Sequence, residues 1–141
     1  MSGIINSAGS RSGVIGTTEL DYEEGTFELT GHGITLTSTS GRYTKIGNFV
    51  FINFFVQMPS TVNTDSLYFT GLPFVNLYFP TGQSYTGGLA EGYGTSSTYN
   101  GKLHGYVQDS TIQMMSEGSG LNNSNFSSSS VRGNFSYHTA S

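Results

Sequence analysis

The chain contains no cysteine, three prolines and five basic residues among 141 positions. Without cysteine there is no disulfide, no thiolate nucleophile and no cysteine-ligated zinc, and the redox compartment is left open. The five Lys and Arg are scattered and outnumbered by nine Asp and Glu, for a formal net charge of −4. That balance argues against nucleic acid as a partner, because phosphate binding needs clustered cations, and it argues equally against a polybasic membrane patch. Long apolar runs are missing too. No window approaches the roughly 20 apolar residues of a membrane span, and the first residues lack the basic-then-apolar order of an export signal. The expectation is a chain with neither membrane insertion nor leader.

What the chain has instead is 20 Gly, abundant Ser, Thr and Asn, and 13% aromatic residues. Only 10% of residues are charged, so solubility rests on neutral polar groups. The aromatic residues fall at strand-like intervals, and their burial can offset the ordering entropy that would otherwise leave so polar a chain disordered. The length suits one domain, burying roughly two thirds of its unfolded surface.

From Thr26 onward the apolar period is two. Phe27 and Leu29, then Ile34 and Leu36, alternate with polar or small residues as half-buried strands do, and Gly31-His32-Gly33 between them predicts a hairpin turn. Residues 41–46 and 48–58 predict the next strand pair, hinged at Ile46-Gly47-Asn48 and ended by Pro59. The second member carries Phe49, Phe51, Phe54 and Phe55 and is apolar on both faces, which predicts a central strand packed against a second layer or a partner subunit. Further strands are expected over 66–70, 75–79, 89–93, 102–108, 111–116 and 131–139, with turns at Asn100-Gly101 and Asp109-Ser110 and a polar surface loop over 118–130. Short strands throughout, with no helix-period window and no internal repeat, predict an all-β fold, an antiparallel, jelly-roll-like β-sandwich over residues 20–141. Residues 1–19 place Ile4-Ile5 and Val14-Ile15 in a Gly- and Ser-rich background and cannot form a core alone. They read as a disordered tail, or as an extended arm whose two apolar spots dock on a neighbouring subunit or larger assembly.

Catalytic constellations are weak. Asp21, Glu23 and Glu24 are the only acidic cluster, and the adjacent pair points to opposite sides of an extended segment, so the expectation is a solvated corner paired with Arg42 or Lys45 rather than two carboxylates at glycoside-hydrolase spacing. His32, His104 and His138 share no metal-binding interval, and no metal or cofactor is expected. No Gly-x-Ser-x-Gly elbow exists, and residues 87–94 lack the Lys-Ser/Thr pair of a phosphate loop. Asn122, Asn125 and Asn134 begin N-x-S/T triplets that so Ser-rich a chain produces by chance. The more informative set is Tyr85, Tyr93 and Tyr99 with Asn100, because rigid amphipathic rings among small polar residues recur in paratopes and sugar-binding surfaces. The competing reading is that these tyrosines merely cover the sandwich edge.

The segments DYEEGTF (21–27), GRYTKIGNFVFI (41–52), LYFTGLPF (67–74) and VRGNFSYHTA (131–140), with the lead-in SAGSRSGVIGTTELDYEEG, resemble a module common in bacteriophage tail-fibre and other virion-surface proteins. The resemblance runs from Leu20 to the end, and Phe27 stands where that family usually carries tryptophan. It implies a compact β-sandwich, commonly trimeric, on a virion surface. A fibre places such a module behind a long shaft, whereas here some twenty residues precede it, so the expected settings are a distal fibre subunit, a short spike, or a capsid decoration, cement or head-fibre protein held by its N-terminal arm. Together these readings predict a non-enzymatic homotrimer. Its arm would contact other virion proteins through Ile4, Ile5, Val14 and Ile15, its subunits would meet at Phe49, Phe51, Phe54 and Phe55, and its tyrosine loops would face a host-surface glycan or protein.

Overall fold

The computed structural model describes residues 21–77, 99 and 102–140, and 86–93 as backbone. Among the described residues ten strands follow one another: β1 (Tyr22–Phe27), β2 (Thr30–Gly31), β3 (Ser38–Ile46), β4 (Phe49–Gln57), β5 (Tyr68–Thr70), β6 (Thr86–Tyr93), β7 (Leu103–Gln108), β8 (Thr111–Ser116), β9 (Ser119–Gly120) and β10 (Ser130–His138). All the strand pairings are antiparallel, in the order β1-β3-β4-β10-β6-β7-β8-β5-β2, with β9 on β8. The chain is an all-β antiparallel sandwich, and one strand carries the hydrogen bonding from layer to layer. Residues 89–93 of β6 pair with β10, while 86–89 pair with β7. Gly87, Gly88 and Gly92 lie in this strand, and glycine is the residue that tolerates a sharp bend inside a ladder.

The core lies between the β1-β3-β4-β10 layer and the β7-β8-β5 side. From β4 come Val50, Ile52, Phe54 and Val56, from β10 Val131, Phe135 and Tyr137, and from the facing strands Phe69, Val107, Ile112 and Met114, all under 5% exposed. The Phe54 ring sits at its centre, 5.9 Å from Phe135 and 6.2 Å from Phe69. Val131, Phe135 and Tyr137 are thus the packing residues that their alternation predicts. Tyr137, fully buried, donates its hydroxyl to the Phe74 carbonyl at 3.0 Å, which satisfies a polar tip carried into the core.

The β3–β4 hairpin matches expectation, closing through Gly47-Asn48 with Gly47 at φ 58°, the left-handed geometry that a two-residue hairpin turn requires. Other boundaries differ for local reasons. Asp21 to Gly25 enters the edge strand β1 instead of forming a corner. Glu23 and Glu24 then place charge on a sheet edge, where charge discourages pairing with another chain. Residues 32–37 form no strand, and β2 pairs with β5 rather than across a hairpin. Ile34 and Leu36 pack on the core from this loop. Within 118–130 the polar loop carries β9 and one turn of 3-10 helix at Asn123–Phe126, capped by Asn122 and anchored by buried Leu121 and Phe126. Buried Asn123 ties that turn to the opposite loops, its Nδ2 donating to the His32 carbonyl at 2.7 Å and to Asn63 Oδ1 at 2.9 Å.

Candidate ligand-binding face

Along β4 the inward residues are Val50, Ile52, Phe54 and Val56, so the outward ones are Phe49, Phe51, Asn53 and Phe55. The register lines these up with their neighbours into rows that cross four strands. The first is Tyr22, Ile46, Phe49, His138; the second Glu24, Thr44, Phe51, Ser136; the third Thr26, Arg42, Asn53, Asn134. A fourth runs Ser40, Phe55, Arg132. The first row is apolar at its centre, with Ile46 and Phe49, and the second carries Phe51 among polar neighbours. Phe49 meets Phe51 edge-on at 4.5 Å and His138 at 4.9 Å, while Tyr22, Ile46 and Phe51 are 55%, 40% and 48% exposed. The third row is polar throughout, and all four side chains are exposed.

Two depressions of about 740 and about 790 Å³ lie along this face, both bordered by Thr26, Arg42 and Asn53, the first reaching Phe51 and Asn134 and the second reaching Phe55 and Arg132. Its floor is held from beneath by cross-strand pairs of glycine with an aromatic ring. Tyr43 lies over Gly25 and Phe27 over Gly41, so close that a Cβ on either glycine would meet the ring at 2.7 Å or 2.5 Å. These contacts seat β1 against β3 and fix the row that includes Thr26 and Arg42.

The acidic cluster is divided among separate partners. Lys45, buried on the inner side, binds Asp21 at 2.6 Å and stands 5.8 Å over the Phe74 ring, which meets the expectation of a structural pairing with Lys45. Glu23 accepts from the Tyr43 hydroxyl at 2.7 Å and Glu24 from Tyr22 at 2.8 Å. These hydrogen bonds to a carboxylate are the main reason that both phenols are raised above their ordinary value. Histidines are equally dispersed. His32 stacks on Tyr68 at 4.2 Å, His138 packs on Phe49, and His104 lies on β7. Among the described residues no three His, Cys, Asp or Glu gather as metal ligands.

Of the residues expected to bind a ligand, Tyr99 alone has a described side chain. Tyr99 packs at 5.5 Å on buried Phe126, as part of the sandwich wall. Tyr93 ends β6 opposite Ser130, and Tyr85 and Asn100 lie outside the described residues, as do Ile4, Ile5, Val14 and Ile15. Of the four phenylalanines assigned to a subunit interface, Phe49, Phe51 and Phe55 share the outer face. Phe54 is corrected, because its ring is 4% exposed in the core and cannot reach a neighbour. The polar row was missed: Arg42 reads in sequence as an acid partner and Asn134 as a chance triplet, and only strand register sets them beside Asn53. The available signal was Asn53 itself, the polar break in an otherwise aromatic outward series. No family model, curated protein or solved structure matches this chain, so the geometry of the face carries the functional argument.

Proposed function

We propose that this chain is a non-enzymatic virion-surface protein of a bacteriophage, whose sandwich turns its β1-β3-β4-β10 outer face toward the host while residues 1–19 tether it to other virion proteins. The observation that carries the reading is the contrast across this layer, sealed inside by Phe54, Phe135 and Tyr137 yet exposing Phe51 and a polar row along open depressions outside. A face that lies outside the core and combines aromatic and polar groups is suited to binding. The likeness of residues 21–27, 41–52 and 131–140 to phage fibre modules supports the setting. In this reading the chain is a homotrimer, and the apolar row of Tyr22, Ile46 and Phe49 meets the neighbouring copy. Trimerisation then multiplies weak contacts through effective concentration.

Particles depleted of the protein test the proposal. Lost adsorption with an intact shell supports it, whereas normal adsorption with a weakened shell overturns it in favour of a capsid decoration or cement protein. Light scattering of the purified chain bears on assembly, and a monomer mass would remove the trimer.

A further inference from the structure

We propose that Thr26, Arg42, Asn53 and Asn134 form a binding row for a neutral oligosaccharide lying across the strands, with Phe51 and Phe55 as its side walls. The inference rests on reading the outer face as the binding surface, and it names the ligand class. The four residues stand directly opposite one another in successive pairs, Thr26 to Arg42, Arg42 to Asn53 and Asn53 to Asn134. Polar groups therefore recur at the strand spacing of about 4.8 Å, a repeat close to that of an extended hexose chain. Phe51 and Phe55 lie two residues to either side of Asn53 on the same strand, so their rings border the row along both edges.

The chemistry of these groups selects the occupant. The four side chains make no hydrogen bond or ion pair with described residues, and so their donors and acceptors are available. A guanidinium offers five N–H donors in a planar fork, an amide offers two donors and an acceptor, and a hydroxyl does both, which suits ligands dense in vicinal hydroxyls. Phenyl faces accept the apolar C–H side of a pyranose ring. Around the two depressions Glu24 and Glu28 stand against Arg42 and Arg132, so a phosphate-rich or polyanionic chain gains little there. An apolar peptide would strand the polar row without partners. All four positions lie within strands, so the backbone of the row is fixed in advance and binding has only the side-chain rotamers to order.

The test uses the full chain against immobilised neutral β-linked gluco-, galacto-, manno- and N-acetylglucosamine oligosaccharides of two to six units. At least one series is expected to bind, with affinity rising up to about four units, the span of the row, and with little dependence on salt. Arg42→Ala and Asn53→Ala should each weaken that binding about tenfold or more, with the thermal midpoint unchanged because both side chains are exposed. Absence of binding to every member, or binding that survives the Arg42→Ala/Asn53→Ala double variant, overturns the proposal. Steep loss of binding with salt also overturns it, since that marks an anionic ligand. The two readings fail separately. Adsorption that depends on the protein without glycan binding sinks the row and keeps adhesion, whereas row-dependent glycan binding with adsorption unchanged keeps the row and sinks adhesion.

Discussion

Over residues 49–56 both faces of β4 are apolar apart from Asn53, yet only the inner one is fully buried. Inward, Val50, Ile52, Phe54 and Val56 are at most 4% exposed; outward, Phe51 is 48% exposed beside Asn53. Burial on the inner face removes apolar area from water at roughly 25 cal/mol per Å², and that area holds the sandwich together. The outer rings gain only partial cover from one another, as Phe49 does from Phe51 and His138. An aromatic residue on this strand therefore has two meanings, and its parity along the strand separates them.

The comparison can be broken most severely at its inner centre. Phe54→Ala leaves a cavity between Phe69 and Phe135 and is expected to remove about 3–5 kcal/mol, read as a lower urea midpoint. A stability close to the parent protein would show that the layers do not pack through this ring. Next comes Gly41→Val, which drives a branched side chain into Phe27 and should cost about 1–3 kcal/mol, while Ser40→Val, its outward neighbour, should change little. Equal effects of the two would erase the difference between the faces.

Tyr137→Phe sharpens the contrast through pH. The substitution strands the Phe74 carbonyl and should cost about 1 kcal/mol at neutral pH. Burial raises the Tyr137 phenol well above its ordinary 10.0, so above pH 10 the unfolded chain releases a proton that the folded chain retains. More protons on the folded state mean that stability falls as pH rises. The contribution is whole below pH 10 and declines above it, and alkaline denaturation of Tyr137→Phe should lose one proton's worth of that slope. An unchanged slope would contradict the buried, protonated phenol. The smallest stability effect belongs to the outer face. Asn53→Ala is expected to lie within about 0.5 kcal/mol of the parent, and a larger loss would mean that the row is structural.

Much of the sandwich was legible because a period of two is a local property. The β3–β4 hairpin, the inward set of Val131, Phe135 and Tyr137, and the strand over 111–116 follow from alternation and turn residues alone. The first strand was misplaced because Asp21 to Gly25 has the composition of a turn, and only pairing with β3 stretches it into an edge. Ile34 and Leu36 have strand spacing yet pack from a loop, since the partner they would need is occupied: β2 takes β5 instead. The polar row was illegible for the same kind of reason. Its members are separated by up to 108 positions in the chain, from Thr26 to Asn134, and no local pattern joins them.

By itself the sequence determined the class of fold, the absence of thiol chemistry and the double apolar character of residues 49–55, because composition and periodicity act over a few residues. The tertiary structure decided which of those rings are core, where the acidic cluster is spent and which polar residues stand side by side. Those outcomes depend on strand register, where a shift of one residue moves every side chain to the other face. Register in this sandwich is set by distant pairings, Asp21 held by Lys45, Phe27 over Gly41 and β10 laid between β4 and β6.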